Sequence, residues 1–325
     1  MRAISRREFC GKAAAGLAVS SFLSTSERRL FASPLGLPIG SQVYPHRQRI
    51  QNGDFAGLLA DMVSIGIQSV ELDGPDYPYA ATTMADAKQI KKILDDHGVT
   101  CPSAHFTLKA LRTRLQEMID WAKEIGMTQI GTASLQGQMQ DGVTTMDAAK
   151  KAADEYNQIA AVAAKAGLQQ YLHDEGYELS NLEGDGLTYK ALLDGLLDPN
   201  LVKMQFQMSA MRVVGDPVMY FNKYPGRFIS MHLQGVDLNA PMPQRGGGRQ
   251  RGERPAGAGA SAGAGAGARG ARRPAPPPGL AVGHDSLDWP KIFEAAKVGG
   301  VKNYFVEQDW ELTVQSVAYL KTLNS

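Results

Sequence analysis

Three histidines, His105, His173 and His232, stand at the ends of short runs rich in apolar and β-branched residues. Comparable run ends carry Glu71, Gln207 and Glu307, and Glu175 follows His173 by two positions. Imidazole nitrogens gathered with carboxylate and amide oxygens suit a divalent cation held by mixed ligands. A lone histidine on a strand serves equally well as a hydrogen-bonded structural residue. Three of them with several carboxylates point to a site, provided that the fold brings the run ends together.

The elements that must do this are legible as a repeat. Candidate strands are Pro38–Tyr44, Ser69–Leu72, Thr100–Phe106, Thr128–Ser134, Leu168–Glu175, Leu201–Met208, Phe228–Leu233 and Lys302–Gln308. Between them, apolar residues recur at three-to-four spacing over Phe55–Ile65, Ala85–His97, Leu111–Ile125, Met146–Ala166 and Trp289–Val298, which predicts helices. Glycines 66, 98, 126 and 167 close four of these segments, where a left-handed cap belongs. Strands alternating with helices argue for a parallel sheet, and eight such units predict a single-domain (β/α)8 TIM barrel. An open doubly wound sheet is the alternative. No Gly-x-Gly-x-x-Gly follows the first strand, which disfavours its dinucleotide-binding form. In a barrel the C-terminal strand ends converge on one mouth, so the residues named above would meet there.

Two segments stand apart from the repeat. Residues 1–33 contain Ser5-Arg6-Arg7-Glu8-Phe9, then Lys12, an apolar run from Ala13 to Leu23, and the small-residue end Leu30-Phe31-Ala32-Ser33. That order predicts a twin-arginine signal peptide, hence engagement of the twin-arginine translocation machinery and a periplasmic mature protein over residues 34–325. No later stretch has the length of a membrane span, so no membrane insertion is expected after cleavage. Residues 241–279 are rich in Gly, Ala, Arg and Pro, with almost no large apolar side chains. Such a composition predicts a disordered insertion after the seventh strand.

The net charge of +1 conceals a division. Residues 1–33 carry +4 and residues 241–279 carry +6, leaving the rest of the chain at −9. A body so acidic is a poor match for a phosphate backbone, which argues against nucleic acid as the main ligand. Of the two cysteines, Cys10 falls in the signal, so Cys101 would remain without an intramolecular partner.

The strand-end segments also resemble a known family. Ser69-Val-Glu-Leu72, Cys101-Pro-Ser-Ala-His105, Leu172-His-Asp-Glu-Gly-Tyr-Glu-Leu179, Met231-His-Leu-Gln234 and Tyr304-Phe-Val-Glu-Gln-Asp309 are together similar to xylose isomerase-like sugar phosphate isomerase/epimerase barrels. The resemblance extends over nearly all of the mature chain. It implies one divalent metal ion, Mn, Mg, Co or Zn, with Glu175, Gln207, His232 and Glu307 as the matching ligand positions. His232 and Glu307 match the family pattern cleanly. Glu175 stands where relatives carry a second histidine, Gln207 replaces an aspartate, and Gln234-Gly235 replaces a Lys-Asp pair. A Gln carbonyl can ligate a hard cation but supplies no charge.

The implied chemistry is metal-assisted proton transfer beside the carbonyl of a sugar, with Glu175 and Glu307 as base and acid. Glu71, His105 and His173 would bind substrate, and Trp310 would stack on a sugar face. Export favours an unphosphorylated sugar or keto-sugar, because sugar phosphates are mainly cytoplasmic. A keto-glycoside lyase or hydratase would use the same site. A non-catalytic carbohydrate-binding barrel is the alternative from a different class.

Overall fold

Each of the eight apolar runs contains a strand. In the computed structural model, which describes residues 33–184, 186–240 and 279–323, the strands are β1 (Gly40–Gln42), β2 (Ser69–Asp73), β3 (Thr100–His105) and β4 (Gln129–Thr132). They continue with β5 (Gln169–His173), β6 (Val202–Gln207), β7 (Phe228–Leu233) and β8 (Asn303–Val306). All pair in parallel with their sequence neighbours, and β8 pairs with β1, which closes the barrel. The signal stretch and the 241–279 insertion lie outside the described residues, apart from their edge residues Ser33 and Gly279. On either side of the latter segment, Gly235 and Leu280 meet in an antiparallel bridge.

Helices cover the outside: α1 (Phe55–Ile65), α2 (Ala87–His97), α3 (Leu115–Ile125), α4 (Met146–Lys165), α5 (Thr188–Ala191), α6 (Pro217–Lys223), α7 (Trp289–Gly299) and α8 (Trp310–Leu320). Their starts are chemically marked. Asp86, Thr145, Asp216, Asp288 and Asp309 each accept a backbone N–H from the first turn of α2, α4, α6, α7 and α8. The segment expected as one helix over Leu111–Ile125 is instead two, Leu108–Thr113 and α3. Thr107 caps the first, and Arg114, at φ −140° and ψ 30°, breaks the path between them. None of the described helices is long and apolar enough to cross a membrane.

Strand alternation separates two layers. Val70, Leu72, Ile130, Leu172, Met204, Phe206, Met231, Leu233, Tyr304 and Val306 are fully buried and belong to the apolar core. The opposite faces of the same strands fill the barrel interior with polar groups: Glu71, Ser103, Tyr171, Gln205, Ser230 and His232, all fully buried. A glycine makes one of these placements feasible. A Cβ on Gly131 would lie 2.4 Å from the Tyr171 ring, so the bare backbone of β4 lets that ring cross the interior. Cys101 is a buried free thiol whose pKa burial drives far upward, a structural rather than reactive setting.

Candidate active site

The site is built in two tiers. In the lower tier, the Glu71 carboxylate of β2 sits at the centre of the barrel. Its Oε1 accepts hydrogen bonds from Ser103 Oγ at 2.7 Å, Tyr171 Oη at 2.8 Å and Gln205 Nε2 at 2.8 Å. Its Oε2 accepts one from His232 Nε2 at 2.5 Å. Five strands therefore converge on one carboxylate. Burial opposes its ionisation, but His105, His232 and the hydrogen-bond donors prevail and hold its pKa well below the usual carboxylate range. For His232 burial opposes the charged form too, and Glu71 and Glu307 outweigh it and raise its pKa.

In the upper tier, His105, His173 and His232 close β3, β5 and β7. All three are buried, with ligand nitrogens within 4.8 Å of one another. Their ring centroids are 5.2 Å apart for His105 and His173, 4.6 Å for His173 and His232, and 5.4 Å for His105 and His232. His105 Nε2 donates to Gln205 Oε1 at 2.7 Å, while its Nδ1 lies 4.0 Å from Asp73 Oδ1. His232 Nδ1 lies 3.3 Å from Glu307 Oε2. That same Glu307 oxygen accepts from Gln207 Nε2 at 2.7 Å and from Gln234 Nε2 at 3.1 Å. Asp73 in turn accepts from Gln42 Nε2 at 3.1 Å and from Tyr79 Oη at 2.6 Å.

The fold thus gathers five of the eight sequence-derived site residues, His105, His173, Gln207, His232 and Glu307, at the mouth. Glu71 is beneath them, completely buried and with both oxygens engaged. Glu175 is half-buried in the turn after β5, one residue beyond the buried Asp174. Trp310 is half-buried at the start of α8, its ring edge-on to His46 at 6.0 Å.

Four partners were not among the sequence candidates: Asp73, Tyr171, Gln205 and Asp174. Asp174 Oδ1 accepts the Gln207 backbone N–H at 2.7 Å, and burial pushes its carboxyl well above the usual range. A signal for Gln205 exists in the chain, since Lys203, Gln205 and Gln207 recur at the strand period on β6.

Whether these residues fit a divalent ion can be judged from the buried polar atoms. Gln207 Oε1 is buried without a hydrogen-bond partner and is a competent donor to a cation, while His232 Nδ1 faces the Glu307 carboxylate at 3.3 Å. The residues that would hold the ion are His105, His173 and His232, with Gln207 Oε1 and Glu307 beside them. They fit.

No protein-family model matches the chain, and no curated protein matches it. Solved structures do. A sugar phosphate isomerase/epimerase from Parabacteroides distasonis is 20% identical, with a TM-score of 0.64 over 87% of this chain and 93% of that one. A xylose isomerase-like TIM barrel protein from Mycobacterium smegmatis, solved in complex with magnesium, is 14% identical with a TM-score of 0.59 over 90% and 97%. The 3-keto-D-glucoside 4-epimerase of E. coli is 13% identical with a TM-score of 0.57 over 88% and 99%. At these identities the likeness establishes the TIM-barrel fold.

Proposed function

We propose that this protein is a sugar isomerase or epimerase that moves a proton on the carbon next to a carbonyl of an unphosphorylated sugar or keto-sugar. The observation that carries the reading is the convergence of three buried imidazoles, Gln207 and Glu307 at the C-terminal mouth of the barrel, where this fold places its chemistry. The names of the structural neighbours support a carbohydrate substrate. The twin-arginine pattern at residues 5–9 supports export to the periplasm, where phosphorylated sugars are scarce.

A bound divalent ion would supply Lewis-acid polarisation of the substrate's carbonyl and neighbouring hydroxyl oxygens. The remaining work belongs to the chain. Glu307 is the proton carrier on one side of the substrate, held in place by the Gln207 and Gln234 amides. Glu175, in the turn after β5, is the carrier for the other face. Trp310 and the neighbouring His46 offer a ring surface to an apolar sugar face. Glu71 holds His232 from below.

One observation favours a second reading. Gln207 donates its amide to Glu307 where an aspartate would bring charge, and a weakened centre fits a non-catalytic carbohydrate-binding barrel. A lyase or hydratase acting on a keto-glycoside needs the same proton abstraction. One experiment separates the three. Metal-loaded protein is incubated in D2O with 3-keto-glycosides, ketoses and inositol ketones and followed by NMR. Deuterium entering the carbon beside the carbonyl, lost in Glu307→Gln, marks the isomerase, and loss of water or of the aglycone marks the lyase. Binding without any exchange marks the binder and would sink the isomerase reading.

A further inference from the structure

We propose that the N-terminal signal of this chain is cut between Ser26 and Glu27 rather than beside Ser33, and that the retained segment Glu27–Ala32 seats Phe31 in an apolar groove along α7. The inference rests on the proposed export of the chain and is independent of the sugar chemistry.

The backbone around Ser33 is built into the barrel. Ser33 is only 3% exposed, and Pro34 after it is buried. The Ser33 hydroxyl donates to the Leu37 carbonyl, which also accepts from Tyr304 Oη of β8 at 3.4 Å. The Ser33 carbonyl accepts the Gly36 N–H at 3.1 Å. Leu35 and Gly36 both take left-handed backbone conformations, at φ 64° and 63°, and so define a tight turn at the entry to β1. Proteolysis favours exposed chain whose backbone is not engaged. A twin-arginine substrate crosses its membrane already folded, so a peptidase would have to pull Ser33 away from β8 before cutting beside it.

The sequence offers a better site upstream. Ser24-Thr25-Ser26 has the small-x-small form of an export cleavage site and directly follows the apolar run Ala13–Leu23. The downstream alternative, Leu30-Phe31-Ala32, opens on a bulky leucine. Cutting after Ser26 leaves two large apolar side chains, Leu30 and Phe31, in the exported protein.

The groove is placed to take them. It has a volume of about 340 Å3 and is lined by Pro34, Leu35, Pro290, Phe293 and Leu323. Pro290 and Phe293 share one face of α7, and Glu294 and Lys297 continue that face while pairing with each other at 2.8 Å. The apolar floor is therefore left to an apolar partner. Pro34 is part of the wall, so the chain runs into the barrel past the groove. Two extended residues span at most about 7 Å, which keeps Phe31 within reach of that wall. The contact is intramolecular and needs no affinity for a separate partner.

The test uses the full chain, expressed in a bacterium with a working twin-arginine pathway and recovered from the periplasm. Intact mass should place the N-terminus at Glu27; a protein beginning at Ala32 or Ser33 would overturn the proposal. A photo-crosslinking phenylalanine analogue at position 31 should couple, within one chain, to the peptide carrying Phe293 or to that carrying Leu323. Coupling between two chains would give the groove to a second copy and, like coupling to neither peptide, would overturn the seating of Phe31. Phe31→Ser should lower the melting temperature by a few degrees and Phe31→Leu should stay near the parent. A Phe31→Ser protein that melts with the parent would also count against the seating. A chain kept in the cytoplasm with its signal intact would overturn the cleavage site and the export reading together, and would leave the sugar isomerase reading standing.

Discussion

Glu71 Oε2 and His232 Nε2 lie 2.5 Å apart at the centre of the barrel, each fully buried. The pair links the strand-end chemistry to the interior, because the same carboxylate is tied to β3, β5 and β6 through its other oxygen. Glu71→Gln would keep the shape but present an NH2 group to donors that need an acceptor. Removing one partner of a buried charged pair costs on the order of 3–5 kcal/mol. Loss of an outer hydrogen-bond partner lowers metal affinity roughly 10–100-fold. Urea denaturation and Co2+ titration would read the two effects separately. A variant as stable and as tight-binding as the parent would contradict the role assigned to Glu71.

Gly131 is the remote control on the same carboxylate. An alanine there would put a methyl group 2.4 Å from the Tyr171 ring, which must then withdraw from Glu71. Overpacking of this kind typically costs about 1–3 kcal/mol. Gly131→Ala should therefore lower the urea midpoint and change the near-ultraviolet circular dichroism of the tyrosines. Tyr171→Phe, which removes only the hydroxyl, should give the smaller loss of stability; the reverse order would show that the ring, not the hydrogen bond, tolerates displacement.

Glu178 gives the fold a pH signature. Burial raises its carboxyl pKa to about 7, despite hydrogen bonds from Leu135 N, Gly176 N and Ser134 Oγ that favour the charged form. The folded protein keeps this proton up to about pH 7, whereas the ordinary value is 4.5. The stability it contributes is complete below 4.5 and is lost as pH rises through 7, a total of about 3 kcal/mol. His46 works in the opposite sense, since burial lowers its pKa from 6.5 to about 4 and stability falls as pH drops through that range. Comparing the stability–pH curves of the parent and Glu178→Gln cancels the His46 contribution. The difference between them should grow from pH 4.5 to 7, and parallel curves would refute it.

Asp309 sets the start of α8 and with it the position of Trp310. Its Oδ1 accepts the Leu312 backbone N–H at 3.2 Å. Asp309→Ala should cost about 1 kcal/mol of stability, the usual value of such a cap. If Trp310 contacts sugar, the same change should weaken sugar binding measured by quenching of tryptophan fluorescence. Loss of stability with unchanged binding would remove Trp310 from the substrate surface.

The strands, the barrel closure and the gathering of His105, His173, His232 and Glu307 were legible because period-two and period-3.6 patterns are local. The vertical arrangement was not. Sequence reading assigns Glu71 to sugar hydroxyls, while the fold sets it one tier below the mouth, because strand ends do not lie level around a tilted barrel. Tyr171 and Gln205 belong to the same tier and are mid-strand, where a polar residue in a short apolar run gives no hint of what it faces. The helix after β5 was also obscure: α5 is only four residues long and passes into a π turn over Leu192–Leu196, with Gly195 at φ 155°, so no amphipathic stripe develops. The break at Arg114 likewise leaves no trace in hydrophobic spacing.

The carboxylate shared by five strands has a consequence for how this chain reaches its native state. Glu71 arises early, on β2, but two of its four donors, Gln205 and His232, come from β6 and β7. A half-formed barrel would strand an anion in a dry interior with its neutralising partner still absent. Partial barrels are thereby penalised, and ring closure and completion of the reactive centre become a single cooperative event.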